Sequence, residues 1–249
     1  MDQKISVVIP VYNEYGNIGI LIKELLPIVD SLGGGEIVFV DDASTDSTAD
    51  KIYKSYGTNK TNINLFRHIK RSGQSAALLT GIKSSLNDII VTLDGDGQND
   101  PKDIKKMFKE WKFHNNKLLL VIGNRINRRD TWSRRFASRL AHKMRKIVLK
   151  DATPDSGCGL KVFSKSLFLS LPYFDHIHRF LPALIRRQGG EVISLEVFHR
   201  QRSSGKSKYS NFQRFRVGLV DLFGVSWLIK RSSFPIKLII DNNKKKNKE

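Results

Sequence analysis

Residues Asp94 to Pro101 read D-G-D-G-Q-N-D-P, and directly before them Asp88 to Leu93 form a short apolar, β-branched run. A run of that length and composition reads as a buried strand, so the strand ends in two carboxylates. Only Gly95 separates Asp94 from Asp96, and in an extended or tightly turned backbone both can point from the sheet's end toward one ligand. Closely spaced carboxylates repel unless a cation lies between them, and hard oxygen donors suit Mg2+ or Mn2+, with a diphosphate as the natural further ligand. A lone D-x-D is common in solvated turns. This one stands at a strand's carboxyl end, with Asp100-Pro101 opening the next helix, and that position favours a metal site.

Upstream, strand and helix alternate with short links. Ile5 to Pro10 is an apolar strand, and Val11 to Glu14 lead to a helix starting near Asn17, with apolar residues from Ile18 to Leu32 at helical spacing. Gly33-Gly34-Gly35 ends it. Glu36 to Val40 is the second strand, finishing in Asp41 and Asp42, and Ser47 with Asp50 has the spacing of a capping box for a helix through Tyr56. Ile63 to Ile69 is a third strand and Gln74 to Ser85 a third helix. This alternation is the signature of an α/β, mostly parallel sheet with right-handed crossovers, which binds ligands beyond its strands' carboxyl ends. Pro10 to Glu14, Asp41-Asp42 and Asp94 to Asp96 all lie there, so three segments are expected to line one crevice.

Downstream, Asp100 to Phe113 reads as a helix and Leu118 to Ile122 as a strand ending at Gly123-Asn124-Arg125. Trp132 to Lys150 is an amphipathic basic helix, the usual mark of a solvated face. Thr153 to Phe163 is a loop holding Asp155 among small residues and leading into a strand. Arg179 to Gln188 reads as a helix, with His178-Arg179 at its start either a substrate-binding pair or a surface pair, Glu191 to His199 as a strand, and Arg200 to Tyr209 as a flexible basic loop. No internal repeat is visible.

The chain has 249 residues, enough for one large domain with appendages, and its 43 Lys+Arg against 24 Asp+Glu give a net charge of +19. Such an excess calls for an anionic partner: nucleic acid, an acidic membrane or phosphorylated substrates. The single cysteine, Cys158, excludes an internal disulfide and reads as a small packed residue, in keeping with a reducing compartment. The histidines lack metal-ligand spacing. The chain enters its first strand at once, and no secretory signal is expected.

Together V-I-P-V-Y-N-E (Val8 to Glu14), V-D-D-A-S-T-D (Val40 to Asp46), D-G-D-G-Q-N-D-P, S-G-C-G-L-K (Ser156 to Lys161) and S-G-K-S-K-Y (Ser204 to Tyr209) resemble the family 2 glycosyltransferases. The likeness is greatest to the polyprenyl-phosphate branch typified by dolichol-phosphate mannosyltransferase, and it covers roughly residues 4 to 210. The resemblance implies a GT-A fold, a nucleotide-sugar donor linked to GDP or UDP, Mg2+ or Mn2+, and inversion at the anomeric carbon. Carried over by motif, Pro10, Tyr12 and Glu14 belong to the nucleoside pocket, and Val40 and Asp42 to the base and ribose side. Asp94, Gly95 and Asp96 form the D-x-D motif, with Asp96 the more direct metal ligand and Gln98 nearby. Many relatives have a larger residue at the place of Gly97, a departure that should loosen the loop and leave the ligands. Arg125 matches an arginine near the donor and acceptor phosphates, and Arg202, Ser207 and Lys208 match a loop that closes over them.

The chemistry agrees with that assignment. A sugar hydroxyl acceptor needs a general base, whereas a lipid phosphate is already ionised and needs cations to hold it. Asp155 stands where a base would be expected and is either that base or an orienting group. The expected partners are therefore a nucleotide sugar and an undecaprenyl or dolichyl phosphate. The rival within the same chemistry is transfer to a hydroxyl of a glycan, polysaccharide or lipid head group. Nucleic acid is not an expected partner, because no stacking-aromatic or recognition-helix motif accompanies the charge.

The expected layout is a catalytic domain over residues 1–210 and an amphipathic, membrane-associating segment over 211–249 with a basic tail. No stretch has the ~20 largely apolar residues of a membrane span, since Arg216, Asp221, Lys230, Arg231 and Lys237 interrupt the best candidate. Trp227 beside Lys230-Arg231, with Lys244 to Lys246 beyond, suits the headgroup layer of an anionic membrane. The expected place is the cytoplasmic face of a membrane. The alternative is that residues 215–240 pack on protein, either the catalytic domain or a membrane partner subunit.

Overall fold

The computed structural model describes residues 4–55, 61–126, 144–201 and 211–231, with the backbone alone over 211–217. Seven strands form one sheet in the order β3-β2-β1-β4-β6-β5-β7. The strands are β1 (Ile5–Val11), β2 (Gly35–Asp41), β3 (Asn62–Arg67), β4 (Ile89–Thr92), β5 (Leu119–Ile126), β6 (Lys161–Ser164) and β7 (Glu191–Phe198). The first four run parallel, β1 pairing with both β2 and β4. β6 runs antiparallel between β4 and β5, and β7 lies parallel to β5.

Helices α1 (Tyr15–Ser31), α2 (Thr48–Tyr53), α3 (Gln74–Ser84) and α4 (Asp103–His114) come from the first half of the chain. Residues 144–149 form α5. α6 (Lys165–Leu169), a short 3-10 turn at Ile177–Arg179, α7 (Leu181–Arg187) and α8 (Asn211–Arg231) follow. Strands covered on both faces must be apolar throughout, and β1, β2 and β4 accordingly bury nearly every residue. The edge strands β3 and β7 are mostly half-exposed.

A buried carboxylate pins the end of the sheet remote from the crevice. Glu36 accepts hydrogen bonds from the Ser6 hydroxyl at 2.6 Å, the Asn64 amide at 2.7 Å and the Leu86 backbone N–H at 2.6 Å, which satisfies a charge that would otherwise be costly to bury.

Element boundaries differ modestly from the pattern in the sequence. α4 begins at Asp103, three residues later than expected, because Asp100 turns back to accept from the Lys102 N–H. The capping box at Ser47 does not form. Ser47 precedes α2 without a side-chain cap, and Asp46 instead accepts from both the amide and hydroxyl of Thr48. The Thr48 hydroxyl also accepts from the Glu14 N–H at 2.9 Å, so the cap is traded for a tie between two loops of the crevice.

One face of α8 is docked. Leu222 and Val225 join the core and Asp221 meets His176 at 3.0 Å, while Val220, Phe223 and Trp227 are 72%, 65% and 62% exposed. Part of the C-terminal segment therefore packs on the rest of the chain, against α7 and His176. The segments 127–143, 202–210 and 232–249 lie outside the described residues, and with them Arg202, Ser207, Lys208, most of the Trp132 to Lys150 helix and the lysine tail.

Candidate active site

The carboxyl ends of β1, β2 and β4 meet as their order requires. Asp42 donates its N–H to the Val11 carbonyl at 2.9 Å and Leu93 donates to Val8 at 3.1 Å. Asn13, at φ +54°, crosses to the β2 loop, donating its N–H to Ser44 and accepting from the Thr45 N–H. Pro10 and Tyr12 are half-buried along this rim, with the Arg71 guanidinium 4.2 Å from the centre of the Tyr12 ring. Glu14 accepts from the Asn17 amide at 2.7 Å.

Two residues assigned to the nucleoside side have structural duties. Val40 is fully buried with its side chain against Gly81, so its expected ligand contact is replaced by a core role. Asp42 accepts from His68, from the Ser72 N–H and from the Gly73 N–H, all at 2.8 Å. Burial works to raise the pKa of Asp42, but those donors outweigh it and hold the group below the ordinary carboxylate range.

Asp94 and Asp96 project from the end of β4. Gly95 between them is buried, and a side chain there would lie 2.7 Å from Val11, so only glycine fits. Gln74, the first residue of α3, donates to Asp94 at 2.9 Å. On the opposite side, a Cβ on Gly159 would stand 2.2 Å from an Asp94 oxygen, so only glycine lets the loop before β6 rest against this carboxylate. Burial and the charge of Asp96 push the Asp94 carboxyl up to about 6. Two crowded, partly buried oxygen donors of this kind fit Mg2+ or Mn2+, whose charge removes their repulsion. Among the described residues no cluster of three His, Cys, Asp or Glu could hold a metal alone, so diphosphate and water oxygens would complete the shell.

The expected loop residues gather on the far side. Gln98 takes its N–H to Asp96 at 3.1 Å, and its carbonyl accepts from the Arg200 N–H at 2.8 Å. Arg200 also donates from Nη1 to both Glu24 oxygens and makes a 2.8 Å ion pair with Asp100 through Nη2. The base of the basic loop thus springs directly from the D-x-D turn.

Arg125, the penultimate residue of β5, meets Asp155 at two points, Nε to Oδ2 at 2.5 Å and Nη2 to Oδ1 at 2.8 Å. Burial alone would weaken the guanidinium's hold on its proton, but the hydrogen bond and charge of Asp155 more than reverse that. Behind the pair, the fully buried Asp151 is gripped by Arg145 and Arg186, and Arg145 also donates to the carbonyl of Thr153 and the hydroxyl of Ser156. Arg145 belongs to the basic helix taken as a solvated face, so that reading fails at this residue.

Gln74 and Lys161 were not singled out as site residues, and the surface reading of His178 does not hold. Gln74 carries no motif of its own. Lys161 closes the S-G-C-G-L-K motif and is buried, its amine donating to the Cys158 carbonyl; burial lowers its pKa. His178 is not a surface residue: it is 8% exposed and pairs with the Ser75 hydroxyl at 2.8 Å, and burial keeps it neutral. Cys158 is the buried, unactivated residue expected, its thiol pKa raised by burial.

Comparison with known proteins adds three findings. Residues 6–171 match the model of Glycosyl transferase family 2. The chain is 31% identical over 236 residues to a dodecaprenyl-phosphate galacturonate synthase of Rhizobium johnstonii, a match covering 93% of this chain and 69% of the relative. Among solved structures it is similar to Mycobacterium tuberculosis glucosyl-3-phosphoglycerate synthase in complex with Mn2+, UDP-glucose and phosphoglyceric acid. That likeness has a TM-score of 0.67 at 19% identity and covers 95% of this chain and 88% of the other. The same enzyme with Mg2+ and UDP gives a TM-score of 0.67 at 19% identity, over 89% and 80% of the two chains. The shared architecture is the GT-A fold.

Proposed function

The chain belongs to glycosyl transferase family 2, and from that premise we propose that it moves a sugar from a nucleotide-sugar donor to a polyprenyl phosphate, with inversion at the anomeric carbon. The single observation that carries the acceptor assignment is the two-point Arg125–Asp155 pair. A carboxylate held that tightly by a guanidinium is a poor general base, and a hydroxyl acceptor would need one. A phosphate oxygen is ionised already. The likeness to a dodecaprenyl-phosphate galacturonate synthase supports the same acceptor.

In this mechanism the donor nucleoside lies along Pro10, Tyr12, Glu14 and Asp42, and its diphosphate reaches Asp94 and Asp96. Those two carboxylates would hold a divalent ion, which would supply charge neutralisation for the leaving diphosphate. Arg125 holds the acceptor phosphate, and Asp155 fixes the direction of the guanidinium. Arg202, Ser207 and Lys208, assigned by motif alone, add further contacts to phosphate. The acceptor oxygen attacks the anomeric carbon opposite the departing diphosphate: one C–O bond forms as the other breaks, and no proton has to be removed.

Among the described residues no helix is long and apolar enough to cross a membrane. A peripheral position on the cytoplasmic face suits a lipid-borne acceptor. Val220, Phe223 and Trp227 share one exposed face of α8 close to Lys230 and Arg231, the arrangement of a helix lying in an anionic headgroup layer. Incubation with nucleotide sugars and a short polyprenyl phosphate, followed by product mass, tests the assignment. A polyprenyl-phosphate sugar is the expected product, and exclusive transfer to a sugar hydroxyl would overturn it.

A further inference from the structure

Asp94 and Asp96 are held by different means. Asp94 is packed in place, with Gln74 donating to it at 2.9 Å and Gly159 resting against it. Asp96 stands between Gly95 and Gly97, and Gly97 has φ +72°, a left-handed conformation that favours glycine and leaves the turn little stiffness of its own. The Asp96 carboxylate accepts from the Gln98 N–H at 3.1 Å, so its direction follows the backbone of Gln98. That backbone is fixed in turn from the end of β7. The Gln98 carbonyl accepts from the Arg200 N–H at 2.8 Å, and Asn99 makes an antiparallel bridge with His199.

Arg200 reinforces this contact with its side chain. Nη2 reaches Asp100 at 2.8 Å, at the exit of the D-x-D turn, and Nη1 donates to the two oxygens of Glu24 at 2.9 and 2.8 Å. Glu24 lies on α1, whose buried face belongs to the core. One residue therefore fastens the turn at Gln98 and Asp100 and ties both points to a helix rooted elsewhere in the fold. A lone backbone bridge is a weak brace, since its hydrogen bonds compete with water. A planar guanidinium between two carboxylates fixes direction as well as distance. We propose that Arg200 is a positioning residue that holds the D-x-D turn in the shape presenting the Asp96 carboxylate to the divalent ion, and so sets the affinity for that ion by acting through Asp96. This rests on the metal assignment above and adds to it a residue outside the motif.

The sign of the effect separates this role from plain electrostatics. Where charge alone acts, removing a cation near a divalent-ion site strengthens metal binding. Removing a brace weakens it. The test titrates Mn2+ alone into the full chain and reads free Mn2+ from its electron paramagnetic resonance signal, so donor, acceptor and turnover do not enter. Arg200→Met should raise the dissociation constant for Mn2+ about tenfold or more, as loss of an outer partner of a metal ligand does. Arg200 and Glu24 are each about a third exposed, so the metal-free unfolding midpoint of this variant should stay within about 3 °C of the unaltered chain. Arg200→Lys keeps the charge but cannot reproduce the fork, and should raise the Mn2+ constant about threefold or more.

An unchanged or smaller Mn2+ constant in either variant overturns the proposal. So does loss of folding, or a much larger fall in the unfolding midpoint, in both variants, because Arg200 would then support the fold at large. Asp96→Asn is the control for the underlying reading and should also weaken Mn2+ binding. Undiminished binding by that variant would overturn the metal assignment itself and the brace with it. Weakened binding in Asp96→Asn beside unchanged binding in both Arg200 variants would reject the brace alone and leave the metal assignment standing.

Discussion

Arg125 and Asp155 face each other through two parallel hydrogen bonds while only 14% and 13% of their side chains remain exposed. An arginine held in this way presents its remaining N–H groups in a fixed direction, which suits a planar or tetrahedral oxyanion. The carboxylate's part is then to aim the guanidinium.

Asp155→Asn should accordingly lower kcat/KM by roughly 10- to 100-fold, because the amide aims the guanidinium less well. The shape of the pH–rate profile should not change. Disappearance of an acidic limb from the profile in the variant would show that Asp155 removes a proton in the reaction.

Asp96→Asn removes one charged oxygen donor from the pair at the end of β4, and turnover should fall by orders of magnitude with the fold intact. Gly159→Ala probes the same pair from the other side. Its new Cβ would overlap the Asp94 carboxylate, so the Mn2+ concentration for half-maximal activity should rise about tenfold or more. Titration of activity against metal, with circular dichroism on both variants, checks this. Near-normal activity of folded Asp96→Asn at the same metal concentration would remove the metal assignment.

Several of these relationships stood in the sequence. Strand-terminal carboxylates at Asp41-Asp42 and Asp94-Asp96 gave the crevice, because apolar β-branched runs separated by helical periods leave little choice of fold. The place of β6 was hidden: pairing between β4 and β5 in the antiparallel sense depends on contacts distant along the chain, which periodicity does not encode. That pairing sets Lys161 beside Thr92, and His178 meets Ser75 at 103 positions' separation along the chain, so His178 looked like a surface residue. Ser47 and Asp50 had the right spacing for a cap, but Thr48 was claimed by Glu14 and Asp46 across the crevice. The roles of Arg202, Ser207 and Lys208 rest on motif alone.

His178 also predicts a pH dependence of stability. Burial, then the charges of Lys161, Arg179 and His176, hold its folded pKa well below the ordinary 6.5. The unfolded chain therefore takes up a proton at this residue as pH falls through about 6.5, while the folded chain does not. Stability is complete above that value and declines below it, by at most about 1.4 kcal/mol per pH unit, until the folded pKa is reached. His178→Gln, which can still bond to Ser75, should lose less stability between pH 7 and 5.5 than the unaltered chain in urea denaturation. Identical losses would show that His178 is not the group responsible.

The two faces of α8 should respond differently to substitution. Replacing Val220, Phe223 and Trp227 together by serine removes only exposed apolar surface, so stability should hold while binding to anionic vesicles falls by about tenfold or more. Leu222→Ala opens the docked face and should cost about 2–4 kcal/mol of stability. Co-sedimentation at low and high salt, beside thermal unfolding, separates these effects. Undiminished vesicle binding by the triple-serine chain would place the membrane contact elsewhere.

The most direct measurement is a competition for acceptor. The chain is given Mn2+, a mixture of nucleotide sugars, a short polyprenyl phosphate and a neutral glycan with free hydroxyls in one vessel, and the products are weighed by mass spectrometry. A single new species with the mass of a polyprenyl-phosphate monosaccharide, lost with Asp96→Asn, is the predicted result. A glycosylated glycan with the polyprenyl phosphate unchanged would contradict the account.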